Sequence, residues 1–207
     1  MLTKLKIKVQ KVLASEARAA HRIGLTPNMV SLIGFTLAVF SAAAYAKAHP
    51  PQFYLLLATI LLLLSGFCDT LDGVLARTYQ QASAFGGFLD SLLDRYADAF
   101  VYVGIIFSGL CNVWWGMAAL LAALIGSLLV SYSRARAEAV QIKMESIGIA
   151  ERPERVIILT VASLAAIFWL PALSAGILLL AFLSNFTVLQ RGLHVYKSLK
   201  RKGIPDN

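Results

Sequence analysis

Six long apolar segments, separated by short polar connections, set the pattern of this chain. They run approximately over residues 28–47, 53–76, 84–108, 113–135, 154–171 and 173–195. A helix that crosses the hydrocarbon core of a bilayer needs about 20 predominantly apolar residues, and each segment is close to or above that length. Because the connections are short, successive helices should run antiparallel. The pattern therefore predicts an all-α integral membrane protein with six transmembrane helices.

A different pattern precedes these segments, over residues 2–13. Apolar residues recur there at helical spacing and lysines lie on another face: Leu2, Leu5, Val9, Val12 and Leu13 against Lys4, Lys8 and Lys11. This predicts an amphipathic helix in the membrane interface, with a disordered basic tail as the alternative. The stretch lacks the continuous apolar core of a cleavable signal peptide, so we expect none. We therefore divide the chain into a juxtamembrane helix (1–24), a six-helix membrane domain (25–200) and a cytoplasmic tail (201–207).

The composition agrees with a membrane protein. Hydrophobic residues make up 58% of the 207 residues and charged residues only 14%, whereas a soluble domain is roughly half apolar and about a quarter charged. The formal net charge is +8, and the basic residues lie beside the apolar segments. That position favours anionic lipid headgroups and phosphorylated substrates as partners, and we expect no nucleic-acid partner.

The distribution of Lys and Arg predicts the orientation in the membrane. These residues are concentrated before the first segment, between the fourth and fifth, and after the sixth, while the opposite connections carry only Lys47. Cytoplasmic connections are the ones enriched in Lys and Arg. We therefore expect a multi-pass protein of the cell membrane with both termini, and the connections after the second and fourth segments, facing the cytoplasm.

Acidic residues interrupt two of the apolar segments. Five of the eleven acidic residues lie in the second and third: Asp69, Asp72, Asp90, Asp94 and Asp98. Each charged residue at the centre of a membrane helix costs about 2.5–3.5 kcal/mol on insertion scales. A cluster of this size must therefore be neutralised by something bound to it.

The spacing of the acids suggests what neutralises their charge. Two helical stripes carry them beside residues with little or no side chain: Asp69, Asp72, Gly73 and Ala76 on one helix, and Gly86, Asp90 and Asp94 on the next. Counted from the intervening turn at about 1.5 Å per residue, the acids of both stripes reach similar depths. Clustered carboxylate oxygens suit Mg²⁺ or Mn²⁺, and two such ions would clamp a phosphoryl centre and its leaving oxygen. The small residues would leave room for a nucleotide.

Two other interpretations of the acids remain open at this point. They could form structural ion pairs with Arg77 and Arg95, or they could line an ion or proton pathway. Neither accounts for the small residues on the same stripes. Asp98 continues the acidic stripe and is better explained as a partner of Arg95 or of another helix than as a metal ligand.

Taken together, these residues resemble the signature of the CDP-alcohol phosphotransferase family. Eight positions match: Asp69-x2-Asp72-Gly73-x2-Ala76-Arg77-x8-Gly86-x3-Asp90-x3-Asp94. The resemblance implies that Asp69, Asp72 and Asp90 bind two divalent ions. It implies that Asp94 also touches the metal site and acts as general base on the acceptor hydroxyl. It further implies a CDP-linked lipid donor, release of CMP and a homodimer.

The same resemblance implies a nucleotide site. Arg77 would hold the diphosphate, and Gly73, Ala76 and Gly86 would pack the cytidine and ribose beside Asp69 and Asp72. Thr26-Pro27-Asn28 resembles the family's short motif at the start of the first helix, which adds Asn28 to the nucleotide site. By itself this tripeptide indicates only a helix start, with Thr as cap and Pro in the first turn.

Arginines at cytoplasmic helix ends are the candidate acceptor site. They are Arg134, Arg136, Arg152, Arg155 and Arg191. One interpretation is that these arginines only reflect the excess of positive charge on the cytoplasmic side of membrane proteins. The other is that they form a second pocket for a phosphorylated alcohol, since a guanidinium group can donate two hydrogen bonds to one phosphate. On an ideal helix residues 134 and 136 lie about 200° apart, so both reach one phosphate only if the helix frays or the side chains wrap.

The segments around these arginines, 131–138 and 148–155, resemble those of phosphatidylinositol-phosphate and archaetidylinositol-phosphate synthases. The resemblance implies inositol 1-phosphate as the acceptor. Glycerol 3-phosphate is the alternative within the family, because it too needs a cationic pocket. A cation transporter that uses the same carboxylates is the alternative from a different class of protein.

Overall fold

The structure is a computed structural model that describes residues 13–48, 51–111, 114–144 and 147–201, and all its regular elements in these ranges are α-helices. Helix α1 is described over 13–22. The others are α2 (Pro27–Ala46), α3 (Pro51–Thr78), α4 (Ala84–Ser108), α5 (Trp114–Ala139), α6 (Arg152–Phe168) and α7 (Pro171–Arg201). The predicted interfacial helix at 2–13 lies, apart from Leu13, outside the described residues, and so does the tail beyond Arg201.

Local sequence signals account for where several helices begin and end. The Thr26 hydroxyl accepts a hydrogen bond from the Met29 amide, and Pro27 opens α2, which is the helix start that the tripeptide predicts. The Ser83 hydroxyl accepts the Gly86 amide at 2.9 Å and caps α4. Helix α4 ends at Ser108 and is followed by Gly109, whose φ of 65° is left-handed and strains glycine little.

Four of the helices among the described residues are long and apolar enough to cross a membrane, namely α2, α3, α5 and α7. Helix α4 has 25 residues but carries the acids of its stripe, and α6 has 17 residues. The chain is thus a multi-pass α-helical membrane protein, while the count of six spans stays a prediction. Helix α4 differs from an ordinary membrane span because it carries the charged residues of the predicted site.

The helices pack as two groups of three. Helix α2 packs against α3 and α4, α7 packs against α5 and α6, and the contacts α3–α6 and α4–α5 join the groups. A buried hydrogen bond of 2.6 Å between the hydroxyls of Tyr45 and Ser163 also links α2 to α6. Small residues permit close approach, because a Cβ on Gly104 would lie 2.3 Å from the Ala42 carbonyl oxygen.

This arrangement positions the acids. Helices α3 and α4 follow one another across a turn in which Gln80 has a φ of 54°, yet they make little backbone contact with each other. Helix α2 holds them both from one side, and the start of α6 approaches α3 from another. The two acidic stripes therefore face a gap between helices rather than a tightly packed seam.

Candidate functional site

The carboxylates of the two stripes converge. Asp69 of α3 and Asp90 and Asp94 of α4 each offer an oxygen within 4.8 Å of the others. These side chains are half-buried, with Asp69 24% and Asp94 27% exposed. Three carboxylates at this separation form a donor set that suits a hard divalent cation. The residues present therefore fit the metal that the sequence predicts.

Asp72 lies deeper, beside these three acids. It is 5% exposed, and its Oδ2 accepts a hydrogen bond of 2.6 Å from the Ser31 hydroxyl of α2. A small cavity is lined by all four predicted metal ligands together with Ser31 and Arg152. Sequence reasoning missed Ser31, although the residue lies three positions after Asn28 and thus on nearly the same face of α2.

Arg152, the first residue of α6, is the cation that the structure puts among the acids. Its Nη1 lies 2.5 Å from Asp69 Oδ1 and 2.6 Å from Asp94 Oδ1. In the part of the chain that the structure describes, neither Arg77 nor Arg95 lies within ion-pair distance of an acid. The structural ion pairs considered from the sequence are therefore not the ones that form.

Asp98 forms ion pairs with arginines of another helix, α6. A partner on another helix was one of the two possibilities that the sequence predicted, the other being Arg95. Asp98 Oδ2 accepts a hydrogen bond of 2.6 Å from Arg155 Nη2, and its Oδ1 lies 3.5 Å from Arg152 Nε. Arg155 is only 5% exposed, and its Nη1 also donates to the Ala150 carbonyl at 2.9 Å. Asp98 thus holds the two arginines of α6 from the side of α4.

The segment that leads into α6 is fastened to α7. Arg191, 2% exposed, donates from Nε to the Ile147 carbonyl at 2.9 Å and lies 3.2 Å from Glu151 Oε1. The Thr187 hydroxyl accepts the amides of Ile149 and Ala150 at 3.2 and 3.1 Å. Buried polar groups are thereby satisfied, and the backbone that delivers Arg152 to the acids is held in one position.

A cavity of about 460 Å³ connects the acids with most of the predicted acceptor residues. Its acidic lining residues are Asp69, Asp90, Asp94, Asp98, Glu138 and Glu151, and its basic ones are Arg95, Arg134, Arg152, Arg155 and Arg191. This volume is ordinary for a small-molecule site. Arg136 is exposed and does not line the cavity, because it lies about 200° around α5 from Arg134. The structure thus brings together four of the five predicted arginines.

The predicted nucleotide residues lie nearer the turn between α3 and α4. A Cβ on Gly73 would meet the Arg77 guanidinium at 3.3 Å, so the absence of a side chain makes room for that arginine. A Cβ on Gly86 would lie 2.8 Å from Asn28 Oδ1. Ala76 is half-buried on the same stripe. The structure thus places Gly73 against Arg77 and Gly86 against Asn28, while the nucleotide site itself stays a prediction.

Fold and site define a class of protein: a multi-pass helical membrane protein in which acids and arginines share a cavity between the helices. The sequence model of the CDP-alcohol phosphatidyltransferase family matches residues 24–189. The chain belongs to this family and is a transferase of phospholipid synthesis. Membership of this family shows that the protein is an enzyme. The acids taken alone were also compatible with an ion or proton pathway.

Similar proteins agree with this membership. The archaetidylinositol phosphate synthase of Pyrococcus horikoshii is 43% identical over 204 residues, which cover 97% of this chain and 98% of that protein. A crystal structure of Mycobacterium tuberculosis phosphatidylinositol phosphate synthase with CDP-DAG bound is similar with a TM-score of 0.79 at 32% identity, covering 90% of this chain and 94% of the other. The same synthase in complex with manganese and citrate is similar with a TM-score of 0.78 at 32% identity, covering 89% and 88%.

Proposed function

We propose that this protein transfers a phosphatidyl-type or archaetidyl-type group from a CDP-activated lipid to inositol 1-phosphate, with release of CMP. The observation that carries the proposal is the single cavity that clustered aspartates and four of the predicted arginines line together. The acids suit the metal-dependent half of the reaction, and the arginines suit a phosphorylated acceptor. The names of the relatives support inositol phosphate as that acceptor.

Two Mg²⁺ or Mn²⁺ ions, held by Asp69, Asp72, Asp90 and Asp94, are part of this proposal. The clustering of three of these carboxylates supports it, and so does the manganese bound by the mycobacterial synthase. When bound, such ions neutralise the diphosphate and make CMP a better leaving group. Arg77 would hold the diphosphate beside Gly73, while Ala76, Gly86 and Asn28 would pack the nucleoside.

The chain's own residues then perform the transfer. Arg134, Arg152, Arg155 and Arg191 would bind the phosphate of the acceptor, with Arg136 a predicted contributor that lies outside the cavity wall. Asp94 takes the proton from the acceptor hydroxyl, and that oxygen forms a bond to the lipid-side phosphorus. The bond from this phosphorus to the CMP oxygen breaks, and CMP carries away the electron pair. A positioned base of this kind contributes about 10²–10⁴-fold.

The remaining features of the proposal concern the membrane. Six spans, an interfacial N-terminal helix, and termini and active site on the cytoplasmic side are consistent with the charge distribution. Membrane lipids would surround the 25–200 domain. The predicted homodimer rests on the family resemblance.

CMP release across a panel of acceptors tests the function. Purified protein with CDP-lipid and Mn²⁺ should release CMP with inositol 1-phosphate and not with free inositol, since the latter lacks the phosphate that the arginines recognise. CMP release with glycerol 3-phosphate but not with inositol 1-phosphate would show that the acceptor is glycerol 3-phosphate instead. CMP release with none of the phosphorylated acceptors would contradict the proposed transfer.

A further inference from the structure

Arg152 lies against the predicted metal ligands and also lines the larger cavity. Its Nη1 contacts Asp69 and Asp94 at 2.5 and 2.6 Å, and neither contact has the alignment of a hydrogen bond. The side chain is 14% exposed and lines both the small cavity among the acids and the larger cavity beside it. One guanidinium therefore borders the predicted metal site and the predicted acceptor site.

The other two buried arginines of the cavity have partners outside the predicted metal ligands. Arg155 is held by Asp98 and the Ala150 carbonyl. Arg191 is held by the Ile147 carbonyl and Glu151. Because these partners are not the convergent carboxylates, a cation bound to Asp69 and Asp94 would not compete directly for the contacts of either arginine. Among these three, Arg152 alone has its closest contacts with residues predicted to ligate metal.

A divalent cation and Arg152 need the same atoms. Asp69 Oδ1 and Asp94 Oδ1 both contact one guanidinium nitrogen, so a cation held by these two oxygens would compete with the guanidinium for them. Arginine cannot relieve the repulsion by losing its proton, since it stays charged in proteins. Its side chain must therefore move, and Asp98 Oδ1, at 3.5 Å from Nε, offers a nearby anchor on the cavity side.

We propose that Arg152 competes with the divalent metal for Asp69 and Asp94 and, once displaced, turns into the larger cavity to contact the phosphate of the acceptor. The inference rests on the proposed function and adds a coupling to it. Metal binding releases Arg152 toward the acceptor site, so that bound metal strengthens acceptor binding. By linkage, a phosphate bound in the cavity also strengthens metal binding.

The affinity for Mn²⁺ tests the competition. In detergent, Mn²⁺ titrations followed by electron paramagnetic resonance would compare the wild type with Arg152→Gln and with Arg134→Gln. Arg134 lines the same cavity but pairs with Glu138, so its variant controls for loss of one positive charge. We expect Arg152→Gln to lower the Kd for Mn²⁺ about tenfold, because this arginine contacts the carboxylates directly. Arg134→Gln should lower the same Kd less than about threefold, because Arg134 is remote from them. An unchanged or higher Kd in Arg152→Gln would overturn the proposal.

A second measurement uses the wild type and does not depend on the folding of a variant. Modification by phenylglyoxal, mapped by mass spectrometry, reports the exposure of each arginine. Mn²⁺ should increase modification of Arg152, leave the deeply buried Arg155 and Arg191 protected, and not affect Arg134, which is 49% exposed. Equal modification of Arg152 with and without Mn²⁺ means that the guanidinium does not move, which contradicts the proposal.

The acceptor arm uses inorganic phosphate as the probe. Saturating Mn²⁺ should strengthen phosphate binding more in the wild type than in Arg152→Gln, whereas equal enhancement in both refutes the link between the two sites. Failure of the proposed function looks different, because it would show as no CMP release with any phosphorylated acceptor. CMP release together with an Mn²⁺ Kd that Arg152→Gln leaves unchanged would remove only the role of Arg152.

Discussion

At the scale of single residues, the site depends on hydrogen bonds that hold charged groups in a low-dielectric surrounding. Asp72 is buried, and its best partner is a hydroxyl from another helix, that of Ser31. A hydrogen bond to a charged group contributes about 1.5–3 kcal/mol. Ser31 is therefore a positioning residue, and it couples α2, with its Thr-Pro-Asn start, to the acids of α3.

Ser31→Ala should test this role. We expect kcat for CMP release to fall about tenfold, because loss of about 1.4 kcal/mol of orientation corresponds to that factor. The Mn²⁺ concentration for half-maximal rate should rise, while the KM of the acceptor changes little. Thr36→Ala is the matched control, since the Thr36 hydroxyl of the same helix bonds only to the Leu32 carbonyl among the bonds described. Equal kinetics in the Ser31 variant and the wild type would show that Asp72 needs no such partner.

Asp94 is the second residue with a specific expectation. Asp94→Asn keeps the shape of the side chain but removes the base, so CMP release should fall by about 10²–10⁴-fold. Glu138→Gln provides a comparison, because Glu138 lines the same cavity yet is 54% exposed and pairs with Arg134. That variant should retain activity within a few-fold. Undiminished turnover in Asp94→Asn would exclude this carboxylate as the base.

At the scale of elements, glycines set how closely α2 and α4 approach. Helix α2 packs against both α3, which carries Asp69, and α4, which carries Asp90 and Asp94, so its distance from α4 affects how these acids approach one another. Gly104 lies against the Ala42 backbone, where a Cβ has no space. The packing of this helix pair and the geometry of the site are therefore linked.

Gly104→Ala should push α2 and α4 apart. Overpacking of this kind costs about 1–3 kcal/mol, and the contact here is with backbone that cannot rotate away. We expect a lower thermal unfolding temperature in detergent. Gly87→Ala is the control on the same helix, because a Cβ there meets nothing within 4 Å, and alanine favours the helix. Similar melting of both variants would mean that the helix pair tolerates a wider spacing.

At the scale of the whole molecule, charge asymmetry predicts the orientation in the membrane. Lys47 follows α2 and Lys143 follows α5, and both side chains are exposed. If α2 to α5 each cross the bilayer, two crossings, α3 and α4, separate Ala46 from Trp114 and a third, α5, leads to Lys143, so the two lysines lie on opposite sides.

Single-cysteine variants test this arrangement after Cys68 and Cys111 are replaced by Ala. In intact cells, Lys47→Cys should react with a membrane-impermeant maleimide, whereas Lys143→Cys should react only after permeabilisation. Labelling of both from the same side would contradict the topology, and would exclude α4 as a span in particular. The two variants control for one another in expression and reactivity.

Much of the site could be predicted from the sequence, because helical periodicity relates residues only three or four positions apart. The stripes of Asp69 and Asp72 and of Asp90 and Asp94 follow from helix geometry alone, and so does the separation of Arg136 from Arg134. Thr26 and Ser83 likewise mark helix starts by bonds to nearby amides. Contacts between residues three or four positions apart need no knowledge of the rest of the chain.

Contacts between distant segments were decided only by the tertiary structure. The partner of the acids could not be chosen from the sequence, because Arg77 and Arg95 are near in the chain whereas Arg152 arrives on α6, carried by a segment fastened to Thr187 and Arg191. The role of Ser31 beside Asp72 was hidden for the same reason. The sequence by itself determined the helices, their stripes and the family chemistry, since each depends on local spacing. Only packing decided which cation meets which acid, because that depends on how helices remote in the chain approach one another.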